Sequence, residues 1–227
     1  MKKLRISIIA LVATFAMISS SFAFEGLSFG GIYNDATFDT SGREMKGQKN
    51  SANEASARTS ISKSQAYGSY FVEYTLPQGS TFGIELIPGD ASLGAKTRVH
   101  TLNGTGQNVA GTITAKAEVS DHTLIYAEPT KMFNDTFGVY LKGGISKVTV
   151  NTLDSQTATT IAGKYGSEDV FGSAYGIGAK AYRGNMFIKL EHLTTDYGNM
   201  TFVSTTNKTI EADIDQKATR IALGYNF

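Results

Sequence analysis

Cysteine and tryptophan are absent from the chain, and proline occurs three times. Without cysteine there are no disulfides, no thiolate metal sites, no nucleophilic Cys and no lipid attached through a thiol. Charge is sparse: 18% of residues are Asp, Glu, Lys or Arg, against roughly 25% in an ordinary soluble domain. Neither sign dominates, with 21 basic and 20 acidic residues, which argues against a nucleic-acid binder or an acidic tail protein. Past the N-terminus no apolar run approaches the 18 residues of a membrane helix. What is plentiful is glycine at 24, phenylalanine at 13 and tyrosine at 11. With so little proline, that composition favours many strands over helices. A length of 227 residues suits one β-barrel domain.

The first residues have the organisation of an export signal. Lys2, Lys3 and Arg5 are followed by an apolar stretch from Ile6 to Ile18, broken only by Ser7 and Thr14. Ser21-Phe22-Ala23 then supplies the small residues of a peptidase site, and cleavage is expected after Ala23. The stretch is short for a membrane anchor. The expected division is therefore a signal peptide over 1–23 and a barrel domain over 24–227. No cysteine follows the site, so a diacyl lipoprotein is excluded.

From Glu25 onward the sequence alternates with period two, which predicts eight strands. The first places Leu27, Phe29, Gly31 and Tyr33 on one face and Ser28, Gly30 and Asn34 on the other. The second sets Tyr70, Val72 and Tyr74 against Ser69, Glu73 and Thr75, and the third sets Phe82, Ile84 and Leu86 against Gly83 and Glu85. The third is expected to run past Pro88-Gly89 through a bulge or bend near the rim. In the fourth, about Thr112 to Ala127, the alternation breaks near Ser120-Asp121 and leaves the faces unassigned. The fifth sets Phe137, Val139, Leu141, Gly143 and Ile145 against Tyr140, Lys142, Gly144 and Ser146. The sixth sets Phe171, Tyr175 and Ile177 against Gly176, Gly178 and Lys180. The seventh sets Met186, Ile188 and Leu190 against Phe187, Lys189 and Glu191. The eighth sets Ile221, Leu223, Tyr225 and Phe227 against Arg220, Ala222 and Gly224.

Short connections, near 77–80, 128–135 and 183–185, alternate with long polar ones, near 39–64, 97–111, 151–167 and 195–209. Short turns at one end and long loops at the other are the organisation of an outer-membrane barrel. Backbone groups in lipid find no water, so spanning strands must close on themselves. The expected fold is all-β: a closed, antiparallel, eight-stranded transmembrane barrel with both ends in the periplasm. Its apolar faces meet lipid. Glu73, Glu85, Lys142, Lys180, Lys189, Glu191 and Arg220 then share a lumen just wide enough for side chains. A soluble sandwich would turn that charged face to water instead. The lumen charges read as an ion-pair network that plugs the barrel, because buried charges need partners. The alternative is a narrow or gated path for small ions.

The chain ends Gly224-Tyr225-Asn226-Phe227, after Ile221 and Leu223 on the same face. In this ending and in its strand rhythm the sequence resembles the OmpA-like and OmpX-like small outer-membrane barrels. The resemblance implies that Leu223, Tyr225 and Phe227 act as a signal to the outer-membrane assembly machinery, reached with periplasmic chaperones. It implies a monomer in outer-membrane lipid, with the loops free to meet an extracellular ligand. Long OmpA-like members carry a peptidoglycan-binding domain, and this sequence shows none.

Signs of chemistry are few. His100, His122 and His192 have no metal-ligand spacing. Asp121-His122-Thr123 is the only compact cluster with hydrolytic residue types, and neighbouring strand residues point to opposite faces. Barrels that modify lipid A carry a His-x-Ser pattern, which Thr123-Leu124 does not match. Gly176-Ile177-Gly178-Ala179-Lys180 imitates a dinucleotide fingerprint but lies in a strand with no helix after it. Small residues facing a crowded lumen explain it better. The expectation is a non-enzymatic structural or surface-exposed barrel without cofactor or nucleic-acid partner. A lipid-modifying enzyme or protease is the least favoured alternative.

Overall fold

The computed structural model describes residues 25–45, 58–100, 111–156, 166–203 and 209–227. The expected export signal lies outside them. The described residues form β1 (Gly26–Met45), β2 (Thr59–Thr75), β3 (Thr81–Ile87), β4 (Ala91–His100), β5 (Gly111–Glu128), β6 (Thr130–Met132), β7 (Phe137–Gln156), β8 (Ser167–Arg183), β9 (Met186–Val203) and β10 (Thr209–Asn226). Every ladder is antiparallel, and β10 returns to pair with β1 from Ser28↔Asn226 to Met45↔Thr209. β5 joins β3 and β4 on one side and β7 on the other, which closes the ring.

Ten segments make eight staves. β3 and β4 are one stave, interrupted at Pro88-Gly89-Asp90 where Gly89 has φ +87°. β6 continues the line of β5 beyond Pro129 and pairs with β7. The break at Pro88 is not at a rim, since ten more residues of β4 follow it. The irregular fourth strand of the sequence is β5. Its ladder with β7 slips between Ser120 and Thr123, and Asp121 there has φ +52°. This bulge shifts the parity of the faces, which is why alternation alone does not assign them.

The long polar loops are much shorter than expected. Much of 39–64 is ladder: Asp39↔Ser62 and Gly42↔Thr59 pair β1 with β2, and Arg43↔Glu211 pairs it with β10. Likewise β7 runs to Gln156 and β9 to Val203. Most staves hold 17–20 residues, where about 9–11 suffice to cross a bilayer.

The surplus length carries an inversion of polarity. Near the short turns the outward face is apolar and exposed: Phe29, Tyr70, Leu141, Ile177, Leu190 and Leu223 point out. From Phe137 to Ile145 this belt covers about 26 Å of strand at 3.3 Å per residue, or roughly 20 Å of height at a 40° tilt. The inward face at that level is polar, with Glu73, Lys142 and Arg220 buried. Farther along, the faces exchange roles. Asp35, Lys147, Asp169 and Lys217 point outward. Phe38, Val148, Val150, Val170, Phe202 and Ile214 fill the interior. The lower half has the membrane pattern, and the upper half is built like a water-soluble barrel with an apolar core.

Candidate functional site

The lumen at the level of the belt is crossed by one chain of alternating charges. Glu85 pairs with Arg220, and Arg220 reaches Glu191 at 2.8 Å. Glu191 meets Lys142 at 3.0 Å, and Lys142 lies 3.2 Å from Glu128. Glu128 meets Lys189 at 2.7 Å, and Lys189 meets Glu73 at 2.7 Å. Four carboxylates and three cations are thus linked end to end, all buried. Hydroxyls take up further lone pairs. Tyr126 donates to Glu73 at 2.7 Å, Tyr140 to Glu191 at 3.1 Å and Ser69 to Glu85 at 2.6 Å. A buried charge is tolerated only with such partners.

The strand frame makes the chain possible. Arg220 and Glu191 are ladder partners on β10 and β9, so their side chains leave the sheet side by side. The others come from β2, β3, β5, β7 and β9 and meet across the interior. Space for the tyrosines comes from glycine. Tyr126 lies over its ladder partner Gly83, and Tyr140 over Gly178, where a Cβ on either glycine would overlap the ring. This accounts for Gly178 in the repeat that imitates a nucleotide motif, while a Cβ on Gly176 would meet the His192 carbonyl and Leu193. The space left beside Arg220, Lys142 and Glu191 is about 10 Å³, room for about one water.

Two residues depart from the sequence reading. Lys180, grouped there with the ion pairs, meets no carboxylate at pairing distance among the described residues. Its Nζ donates to the Gly79 carbonyl at 2.6 Å and to Thr81 Oγ1 at 3.1 Å, tying β8 to the turn that joins β2 and β3. Its charge balances the fourth carboxylate without pairing. Glu128 falls in an expected connection, 128–135, yet it is the central carboxylate, held by two lysines. The alternation Leu124-Tyr126-Glu128 below the bulge is the signal that places it inward.

The histidines resolve differently. His192 points outward, with Thr219 3.4 Å away. His100 lies in β4, at a level where only the backbone is described. His122 Nε2 lies 2.6 Å from Ser146 Oγ, which is also 2.9 Å from the Tyr197 hydroxyl. This resembles a nucleophile and its base. Ser146 is fully buried, however, and no acid orients the imidazole at Nδ1. The pair belongs to a hydrogen-bonded layer between the charge chain and the apolar core. Of the expected C-terminal signal residues, Leu223, Tyr225 and Phe227 all point outward. Phe227 stacks on Phe29 with centroids 5.4 Å apart, and its N–H donates to the Leu27 carbonyl at 2.9 Å.

The architecture is that of the small eight-stranded barrels the sequence resembles. No protein-family profile matches the sequence, and no curated protein matches it. Among solved structures, OprG of Pseudomonas aeruginosa is similar at 10% identity and a TM-score of 0.42, over 87% of this chain and 97% of that one. The attachment invasion locus protein Ail of Yersinia pestis, solved with the heparin analogue sucrose octasulfate, is similar at 11% identity and 0.36, over 84% and 98%. The toluene transporter TodX of P. putida is similar at 8% identity and 0.29, over 95% and 92%. At these values the likeness says nothing of ligand or activity.

Proposed function

We propose that this chain is a bacterial outer-membrane barrel with a structural or surface-exposed, non-enzymatic role. It is exported by its N-terminal signal, inserted by the outer-membrane assembly machinery after transit with periplasmic chaperones, and resident as a monomer with the short turns in the periplasm. The observation that carries this reading is the exchange of polarity along the staves. An apolar outer belt over a charged interior fits only a lipid surround, because in water the apolar face would be the one buried. A polar exterior over an apolar interior above it fits water. The protein is thus a membrane anchor that continues outward as a rigid barrel, and its exterior strands and loops are the parts available to a partner.

The charge chain is a structural plug in this reading. An ion path through the same lumen requires at least one buried pair to open, which leaves an uncompensated charge. Two measurements test the proposal. Density fractionation of cells should recover the protein with the outer membrane; recovery in the soluble periplasmic fraction refutes it. The refolded protein in a planar bilayer should show no steady conductance. A steady open state would replace the plug with the narrow pore.

A further inference from the structure

The barrel wall has a gap at the interrupted stave. The β2–β3 ladder ends at Tyr70↔Leu86. Beyond it the chain bends through Pro88-Gly89-Asp90 and resumes as β4, which pairs with β5 alone. The part of β2 before Tyr70 therefore has a ladder on one side only, to β1. β2 and β4 touch again at Ile61, whose Cγ2 would stand 3.5 Å from a Cβ on Gly94. Between these two closures the wall has a window framed by Gln65 and Tyr67 on one side and Ile87 to Ala91 on the other.

Behind the window lies a cavity of about 50 Å³. Phe38, Val119, Val148 and Ile214 give it apolar walls; His122, Gln216, Ser120 and Tyr197 are polar groups in its lining, and Gln65, Tyr67 and Asp90 stand at the mouth. The Gln216 amide is engaged with the Tyr67 hydroxyl. His122 is engaged only through Nε2, to Ser146, and its buried Nδ1 has no partner. A buried polar atom left unpaired is costly, and in native structures it asks for an explanation such as a bound molecule. The mouth sits where the outward belt ends: Tyr70 and Leu86 are the last large apolar residues, followed by Gly68, Ala66 and Ser64 on β2 and by Asp90 and Ser92 beyond the bend.

From the window, the cavity and the unpaired imidazole nitrogen we infer that this is a binding site for a small neutral amphiphile. The molecule has a short apolar body and one hydrogen-bonding oxygen, and it is reached sideways through the wall. Three features fix that class. The volume admits only a few heavy atoms, being well below the 150 Å³ that holds benzene. The inner walls are mostly apolar, and the buried lining atom without a hydrogen-bond partner is one imidazole nitrogen, which calls for a single hydrogen-bonding group on the ligand. The mouth opens at the level where lipid gives way to water, where amphiphiles concentrate. A longer tail would lie in the window and point to the membrane. The inference uses the belt described above but not the compartment.

The absence of cysteine gives a clean test. Val119→Cys and Val148→Cys place a thiol at the cavity wall. Val170→Cys places one in the same apolar core away from the cavity. Each variant is refolded in detergent, its barrel checked by heat-dependent gel mobility, and treated with methyl methanethiosulfonate, a small neutral thiol reagent. Labelling at either cavity site should be at least about 100-fold faster than at Val170→Cys. 1-Butanol should slow it saturably, and adding His122→Phe should raise the butanol concentration needed about tenfold. Slow labelling at all three sites overturns the window. Fast labelling that butanol does not protect, or protection indifferent to His122→Phe, overturns the binding site. Neither result depends on fractionation, so failure here is separable from failure of the outer-membrane reading.

Discussion

Phe187 lies across Gly224, its ladder partner on β10, so closely that the three atoms nearest a Cβ on that glycine would all belong to the phenyl ring. The ring is held from its other sides by Phe71 at 6.0 Å and Tyr182 at 5.5 Å between centroids. Gly30 and Phe71 repeat the arrangement between β1 and β2. Gly30, Gly83, Gly178 and Gly224 are thus seats for aromatic rings from the next stave.

Gly224→Ala should therefore overpack the barrel floor. The expected loss is about 1–3 kcal/mol, read as a lower urea midpoint of the refolded protein. Combining it with Phe187→Leu should cost less than the two single losses added together. Strict additivity would mean that the glycine is needed for another reason.

Removing one charge from the chain should cost more than removing Lys180. Glu85→Leu takes a carboxylate from buried Arg220 and an acceptor from Ser69. Breaking a buried pair in this way costs roughly 3–5 kcal/mol. Lys180→Met loses two hydrogen bonds to neutral oxygens, the contact with the Tyr140 ring and a balancing charge, but breaks no ion pair, so its loss should be the smaller of the two. Urea unfolding of both variants side by side decides the matter. An equal loss would make Lys180 a full member of the ion-pair chain.

The lower half of this barrel is legible in the sequence because its contrast is high. Phe, Leu and Ile alternate with Lys, Glu and Gly in β7, β9 and β10, and one stave fixes its own faces. The upper half is not legible. Its outward residues are Ser, Thr, Asp and Lys, and its inward ones include Ala36, Ala212 and Ala218, so Thr40 to Ser64 resembles a loop although much of it is ladder. Height is the other missing quantity. Alternation places Lys180 inward but cannot tell that it lies level with the Gly79 turn, below the carboxylates. Glu128 escaped for a local reason: Pro129 follows it, and proline reads as the end of a strand.

Orientation is testable at the β1–β2 connection, residues 46–58, which contains Lys46 and Lys49. Trypsin added to intact cells should cleave there. Arg43 should resist, because it lies in the ladder opposite Glu211 and pairs with it at 2.7 Å. Cleavage that appears only after lysis would place this end in the periplasm.

The C-terminal residue separates assembly from packing. Phe227 stacks on Phe29, meets Tyr225 edge-on at 5.3 Å and closes the last backbone bond to Leu27. It is nonetheless 45% exposed, so its burial contributes less than the about 1.5–3 kcal/mol of a fully buried large side chain. The β1–β10 ladder continues through seventeen further residue pairs beyond Ser28↔Asn226 and does not need it. Deleting Phe227 should therefore change urea resistance and refolding yield in detergent only slightly. If the ending is read during assembly, as its resemblance to small outer-membrane barrels implies, the same deletion should lower the outer-membrane level in cells severalfold. Unchanged membrane levels would remove the terminal signal. Equal losses in both assays would leave Phe227 as a packing residue on the β1–β10 seam.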